Sequence, residues 1–550
     1  MAPLYHPRSV VRRNEGSHPP RIHRHGWKAP MRFWNASWIS PALVLVLAGL
    51  LIGAPLLVLN GFPLTFDDTP GYLEPAFNIL HRAAQPAWTP PPDLSPHGLP
   101  SSNIFFLRPF GYMLFLLPFA GGWGVWLVPL AQGILAAAVL RAALTAAGVP
   151  ERPGLFLGIA AVLGLTTSLS LHAATIMPDF LTGLAILLVY VVVVRWPALT
   201  AVQRLLTVAA LTGTIVSHLS HLAILGGMIV LLGLWALWHD RAMLRSLAWG
   251  VLLPMVLAVG LLTGSNLLTA GRPVLSESSP VFLLARLIGD GPARDYLAEA
   301  CRSRDYLLCG SLDSLDRSAP GYVTSDYFLW HPDGARRRFG DQPRFVTEAA
   351  EIAHNTIASR PAAVATHGLT NAIGQFVEVQ PDDTLNDPVK PLTRRLFSRF
   401  PAPVYDAFDR SLQTQQRFPR DGLALVQDLS LSLGVLGLAA LGLGRWRRVD
   451  GRLRMLLLVI GLGLTLNAVV TGGLSAVHDR YQNRVIWLVP FAALVLLATA
   501  RSRDLLPAGQ TGRTGSGQPA GWNTPPGIGT GTPVVAGRLS GSPSLLRTAR

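Results

Sequence analysis

The chain has 550 residues, 50% of them hydrophobic and only 14% charged, with mean hydropathy +0.37. Soluble domains usually carry about 25% charged residues, and several apolar runs here approach the roughly 20 residues that cross a hydrocarbon core as a helix. One aqueous core cannot bury them all, so a soluble globular protein is excluded and a polytopic membrane protein is expected. The net charge of +15 would suit nucleic acid, but no basic–aromatic patch or reader motif accompanies it. Basic residues gathered at helix ends and tails mark membrane topology instead. Membrane lipids are expected as partners and nucleic acid is not.

Residues 1–38 hold Arg8, Arg12, Arg13, Arg21, Arg24, Lys28 and Arg32, and the positive-inside bias keeps such a tail cytoplasmic. The apolar run that follows is too long for a signal-peptide core and lacks a small-x-small cleavage site, so it reads as an uncleaved first span. Spans are predicted at 39–60, 122–140, 153–173, 179–194, 204–218, 221–238, 246–268, 423–443, 454–472 and 484–500. The segment "IFFLRPFGYMLFLLPFAGG" (104–122) carries Arg108 and Pro109 near its start and runs almost directly into the next span. If it crossed, the loops holding Arg141/Arg152, Arg195/Arg204, Arg241/Arg245 and "RWRRVDGRLR" would all lie outside. If it does not, all are cytoplasmic, as the bias asks.

The predicted fold is therefore an all-α polytopic membrane protein of about ten transmembrane helices plus a re-entrant or juxtamembrane segment. A transmembrane core (39–269) contains the first outer loop (61–121), and C-terminal transmembrane helices occupy 423–503. Between them, 270–422 alone has soluble composition, with amphipathic pieces such as "PRFVTEAAEIAHNTIASR", and reads as a mainly helical insert on the outer, periplasmic face. The 504–550 tail, rich in Gly, Pro, Ser and Thr, cannot bury enough apolar surface to order itself and is expected to be disordered and cytoplasmic. The two cysteines, Cys301 and Cys309, both fall in the insert. On the oxidising side a disulfide closing a short loop is expected, ahead of a metal site, for which no nearby His/Cys spacing serves.

The residues able to do chemistry gather on that outer face. "TFDDTPGYL" (65–73) sets adjacent Asp67 and Asp68 just beyond the first span. One reading has them capping a short interfacial helix. Another makes them reactive, because neighbouring carboxylates repel and one then suits a general base. Asp179, behind Pro178 in "IMPDF" (176–180), opens a span; it is a helix-start residue, a sugar ligand, or a partner of Asp67 in holding a metal. Arg480 and Arg484 of "HDRYQNR" (478–484) share one face if helical, and guanidinium forks suit phosphate oxygens. Arg108, inside an apolar segment, is costly unless paired with a carboxylate or a lipid phosphate. His218 and His221 are three apart; hydrogen bonding in a helix connection is the first reading and a two-histidine metal site the second. His478 beside Asp479 reads as a polar loop ahead of an acid/base pair. No P-loop, dinucleotide fingerprint, zincin motif or hydrolase elbow occurs.

"FDDTPGYLEPAFNIL" resembles the first outer loop of the GT-C superfamily of polyprenyl-phosphate-sugar-dependent glycosyltransferases, of the bacterial, dolichyl-phosphate-mannose-protein mannosyltransferase-like kind. There the loop often reads Asp-Ser/Thr-x-x-Tyr-Leu just after the first span, and Asp68, Thr69, Tyr72 and Leu73 match, with Asp67 an extra neighbour. "IMPDF" resembles that superfamily's second acidic site. "HDRYQNRVIWLVPFAALVLLA", with Tyr481, resembles its Arg-Tyr-containing start of a closing helix. The resemblance does not extend to 270–422. It implies an inverting glycosyltransferase at the outer face of a bacterial inner membrane, with a polyprenyl-phosphate-linked sugar as donor and a glycan, lipid or protein as acceptor. Asp68 would be the general base with Asp67 second, and Tyr72, Asp179, Arg108, Arg480, Arg484 and Tyr481 would bind substrate. No cofactor is required by this reading, and a divalent cation is left open. The alternatives are a transporter or flippase, against which stand few midplane charges and no obvious inverted halves, and an O-antigen ligase or polymerase-like protein, which would not call for an Asp-Thr-x-x-Tyr loop.

Overall fold

A bilayer leaves backbone N–H and C=O groups no partners but each other, so apolar runs of spanning length become helices. The computed structural model describes residues 40–85, 108–315, 324–331, 333–340, 342–385, 388–445 and 449–504; the expectations for the basic N-terminal tail and for 505–550 lie outside these. Among the described residues there are eight helices long and apolar enough to cross a membrane, and no strand beyond one isolated bridge. The protein is an all-α polytopic membrane protein.

Helix α1 (Pro41–Asn60) begins where the Ser40 hydroxyl accepts the Leu43 N–H. Two short elements follow at its far end, α2 (Thr69–Ala84) and α3 (Gly111–Leu116). With six residues α3 cannot cross, so the described part of 104–122 is juxtamembrane, as charge parity required. Helix α4 (Leu127–Ala147) continues a 3-10 turn into one span. The span expected at 153–173 is broken: α5 (Pro153–Thr166) and α6 (Ser168–Ala174) meet at 79°. Thr167 is extended at the break, and its hydroxyl accepts the Leu169 N–H that the bend releases.

Helix α7 (Phe180–Arg195) sits at the centre, with 78% of its apolar window buried. The span expected at 204–218 is α8 (Ala201–Ile215), whose 15 residues reach about 22 Å, short of a core of about 30 Å. Next come α9 (Leu219–His239), then α10 (Ala242–Leu247) and α11 (Leu253–Ala270), joined by a π-helical turn into one span.

The segment expected as a single soluble insert divides into three. Helices α12 (Ser279–Asp290), α13 (Pro292–Ala300), α14 (Ser325–Trp330), α15 (Ala335–Phe339) and α16 (Pro343–Ser359) enclose a core of their own around Leu284, Ile288, Phe328, Phe345 and Ile352. Cys301 and Cys309 are bridged beside it, their Cα atoms 5.5 Å apart. Helix α17 (Pro361–Val377) leaves this subdomain and lies along a later membrane helix. Helices α18 (Asp382–Leu385), α19 (Pro391–Phe397) and α20 (Ala402–Asp409) return to the loop that follows α1. There Phe397 and Phe408 meet the ring of Phe62 edge-on, and Phe400 packs on Phe77. Gln413 latches the return, bonding the Thr65 backbone at both N–H (2.9 Å) and C=O (2.7 Å). Residues 396–408 thus join the core of the membrane bundle. Composition could not tell this because the aromatic faces that meet are over 300 positions apart.

Helices α21 (Arg420–Arg445), α22 (Gly451–Leu474), α23 (Asp479–Ile486) and α24 (Leu488–Asp504) complete the chain, the last two forming one span. Only 11% of the window of α21 is buried, which puts it at the periphery. Among the described residues the bent pair brings the spans to nine at most, one short of the ten expected, because α8 is too short to be counted by length. Helices α1 and α4 pack backbone against backbone. A Cβ on Gly133 would stand 2.9 Å from the Gly53 nitrogen and 3.1 Å from the Gly49 carbonyl carbon, so small residues let the two backbones touch.

Candidate active site

The C-terminal ends of α1, α6 and α22 and the N-terminal ends of α7, α9 and α23 meet at one end of the bundle. A parallel bridge draws two of the connections together: the Leu64 N–H donates to Ala174 O, and the Ile176 N–H donates to Leu64 O, both at 2.9 Å. The Thr69 hydroxyl adds a second tie, donating to Ile176 O at 3.0 Å and accepting the Phe66 N–H at 2.8 Å. These bonds bring the start of α2 against the start of α7, and with them Asp68 and Asp179.

Asp68 holds the N-cap position of α2 but makes no side-chain cap bond. Its carboxylate accepts a hydrogen bond from Arg108, the partner that an arginine in an apolar segment requires, and stands 3.7 Å from Arg480. Asp67 turns elsewhere: its carboxylate is 3.7 Å from Lys390 and 44% exposed. The adjacent carboxylates thus pair with different cations, because consecutive side chains at a helix start point apart.

Asp179 is 3% exposed and makes no cap bond either. Its Oδ1 accepts from Arg484 at 3.1 Å, while its Oδ2 is buried without a hydrogen-bond partner among the described residues. Arg484 is fully buried and anchored on three sides. Its Nε and Nη2 donate to Asn467 Oδ1 (3.2 and 2.9 Å), and Nη2 also reaches Ser220 Oγ at 3.2 Å. Arg480, four positions before it, is differently placed. Its guanidinium lies 4.0 Å over the Phe66 ring and donates to the Tyr481 hydroxyl at 3.3 Å, leaving Nη1 buried without a hydrogen-bond partner among the described residues. Tyr481 holds that hydroxyl with Ser475 (3.2 Å). Tyr72 is 1% exposed and stacks edge-on against Tyr112, whose hydroxyl donates to Gln132 at 2.6 Å. The structure thus gathers Asp68, Arg108, Arg480, Tyr481, Asp179 and Arg484, while Asp67 stands at the rim.

His478 is more than a polar loop residue. Its two ring nitrogens each lie 3.4 Å from a carboxylate of the former insert, Asp326 and Asp383, and Asp479 is not among its ion-pair partners. Desolvation alone would lower its pKa, but these two carboxylates raise it to about 10. Burial pushes Asp383 upward, yet the hydrogen bond and charge of His478, joined by the Arg480 N–H and guanidinium, together outweigh this and hold it below the usual carboxylate range. His221 uses both ring nitrogens, on Thr182 Oγ1 (2.8 Å) and Thr214 O (2.6 Å), and His218 Nδ1 meets Ser220 Oγ (2.8 Å). Among the described residues no group of three or more His, Cys, Asp or Glu could hold a metal ion.

Sequence reasoning missed Asn467, Ser220, Lys390, Asp326 and Asp383. Asn467 alone left a signal, being an amide inside an otherwise apolar span, a position where polar residues are costly and meaningful. Lys390 and the two aspartates belong to ordinary soluble composition and become visible only when the chain folds back.

Fold and site define a multi-pass helical membrane protein with carboxylates and arginines interleaved at one end of its bundle. No family model matches the chain, and no curated protein matches it. Among solved structures, ArnT from Cupriavidus metallidurans, bound to undecaprenyl phosphate, is similar over 84% of this chain and 76% of that one, at 15% identity and TM-score 0.28. At that score the likeness carries no conclusion.

Proposed function

We propose that the protein is an inverting glycosyltransferase that moves a sugar from a polyprenyl-phosphate carrier to an acceptor at the outer face of a bacterial inner membrane. One observation carries the reading. Beside the Asp68–Arg108 pair, a buried donor (Arg480 Nη1) and a buried acceptor (Asp179 Oδ2) stand in one cluster without hydrogen-bond partners among the described residues. Leaving such groups unmatched is expensive, and a ligand bearing an anionic oxygen and a hydroxyl would match both. A sugar phosphate is such a ligand. Its polyprenyl tail confines it to the bilayer, which suits a site at helix ends better than one in a soluble domain.

The chemistry follows from the groups present. Asp68, as the base, takes the proton of the acceptor nucleophile as that atom bonds to the anomeric carbon. The bond from the anomeric carbon to the phosphate oxygen breaks with its electron pair, and the polyprenyl phosphate leaves with one further negative charge. Arg480, with Arg108 beside it, stabilises that charge where it develops. Asp179, held by Arg484, accepts a hydrogen bond from a sugar hydroxyl. A single displacement with one base inverts the anomeric centre.

The test is transfer by purified protein in proteoliposomes from radiolabelled polyprenyl-phosphate sugars to cell-envelope acceptors. Product is expected with the parent protein, and Asp68→Asn, checked for a monodisperse elution profile, should lower its rate on the order of 10²–10⁴-fold, the usual worth of general base catalysis. Movement of labelled donor across the bilayer without product would instead identify a flippase. Transfer from diphosphate-linked donors alone would identify a ligase-like enzyme.

A further inference from the structure

Helix α17 has its polarity inverted for a helix in water. Its 17 residues, Pro361–Val377, include no Asp, Glu, Lys or Arg. Two of its polar side chains turn inward, while Thr366 and Thr370 stay exposed: Gln375 is fully buried and exchanges two hydrogen bonds with the His478 backbone (2.7 and 2.9 Å). Asn371, one turn earlier, donates to both carboxylate oxygens of Asp290 on α12 (3.1 and 3.2 Å). The opposite face carries Leu369, Ile373, Phe376 and Val377, exposed by 64, 63, 45 and 67%. Their spacing puts them on one stripe. A helix on the surface of a soluble domain shows the reverse pattern, with its apolar stripe inward.

What lies beside α17 indicates what covers that stripe. The helix packs along α22, a membrane span, and at Gly472 the contact is backbone to backbone. A Cβ there would come to 2.6 Å from the Asn371 carbonyl oxygen and 3.0 Å from the Ala372 nitrogen. Close approach of this kind is usual between helices that share a bilayer. Val469 and Leu474 of α22 are 47 and 55% exposed, so the upper end of the span also offers apolar surface.

We propose that α17 is embedded in the bilayer interface at the site's end of the bundle, with Leu369, Ile373, Phe376 and Val377 in lipid. The occupant of the stripe is the membrane itself. Continuity with a spanning helix, the absence of any Asp, Glu, Lys or Arg and the inward turn of Asn371 and Gln375 all call for it, and interfacial helices bind through buried apolar area in this way. The helix then does more than connect two parts of the chain. Through Gln375 it holds the backbone of His478, so its depth in the leaflet sets the height of the residues that open α23, Arg480 among them. This inference does not depend on which reaction the site performs.

Cysteine labelling in the full-length protein tests it directly. The two native cysteines are joined to each other, so an introduced cysteine is the only free thiol. Ile373→Cys on the stripe is compared with Ala350→Cys, on the exposed face of α16, in vesicles of phosphatidylethanolamine and phosphatidylglycerol. A bulky hydrophilic maleimide should react with the first at least about tenfold more slowly. A bimane placed at Ile373→Cys should be quenched by lipids carrying a nitroxide on the upper acyl chain, and one at Ala350→Cys should not. Equal reaction rates without quenching would put the stripe in water and overturn the proposal. Slow reaction without quenching would mean that a second copy of the chain covers the stripe, which also overturns it. Leu369→Cys provides the same measurement if Ile373→Cys does not fold.

Discussion

Arg480 and Arg484 share a helix and a charge, yet their surroundings assign them opposite duties. Arg484 is the buried counter-ion of Asp179, so Arg484→Ala leaves a carboxylate in the interior without its cation. Breaking a buried pair in this way costs about 3–5 kcal/mol, and the variant should lose most of its detergent-stable, monodisperse fraction. Arg480→Ala is expected to keep that fraction, because Asp68 retains Arg108, and to raise the concentration of polyprenyl-phosphate sugar needed for half-maximal transfer. Equal stability of the two variants would contradict the assignment. His478 gives a pH dependence of definite sign. Its pKa in the folded protein is raised from 6.5 to about 10, so its contribution to stability is full below the unfolded value and is lost as pH rises through the folded one. Asp383 is shifted downward from 3.8, so its contribution holds above that value and is lost as pH falls beneath it. The gap in unfolding temperature between the parent and His478→Gln should therefore be widest near neutral-to-weakly-acid pH, about 6, and close toward about 10. A constant gap would show that the imidazolium charge is not what holds α14 and α18 to the start of α23.

At the scale of elements, the α1–α4 contact is decided by the absence of side chains. Gly133→Leu would force the two backbones apart, where even tolerable overpacking costs about 1–3 kcal/mol. A Cβ added at Gly158, on the exposed face of α5, meets nothing within 4 Å, so Gly158→Leu should be close to neutral in the same thermal-unfolding measurement. The bridge in the 279–359 subdomain works at the same scale but through the unfolded chain. Cys301→Ser with Cys309→Ser reopens a loop whose ends are 8 positions apart, a loss of about 2–3 kcal/mol in the chain-entropy account. Faster proteolytic nicking between α12 and α16, with the membrane bundle intact, is the expected result, since that subdomain has a core of its own.

For the whole molecule, topology governs every functional statement. Helix ends that meet at the site must all face one compartment, and by the positive-inside bias we expect the opposite, arginine-bearing loops to be cytoplasmic. A periplasm-active reporter fused after Gly340 should be active, and the same reporter fused after Arg241 should be silent. Activity in the reverse order would move Asp68, Asp179 and Arg480 to the cytoplasmic side, where a donor presented at the outer leaflet could not reach them.

Much was legible from residues alone, for a physical reason: hydrophobicity acts locally, and a bilayer converts it into helices without reference to the rest of the chain. Eight of the ten expected spans, the short α3 within 104–122, the cysteine bridge and the need of Arg108 for an anionic partner all belong to that class. Tertiary structure decided what depends on which distant groups meet. It paired Asp67 and Asp68 with different cations, turned Arg484 inward while leaving Arg480 Nη1 without a hydrogen-bond partner among the described residues, and broke α5–α6 at Thr167. It also folded 391–418 onto the loop that follows α1 and paired His478 with Asp326 and Asp383. Contacts separated by a hundred to three hundred positions leave no periodicity in a sequence, because the energy that selects them exists only once both partners are buried together.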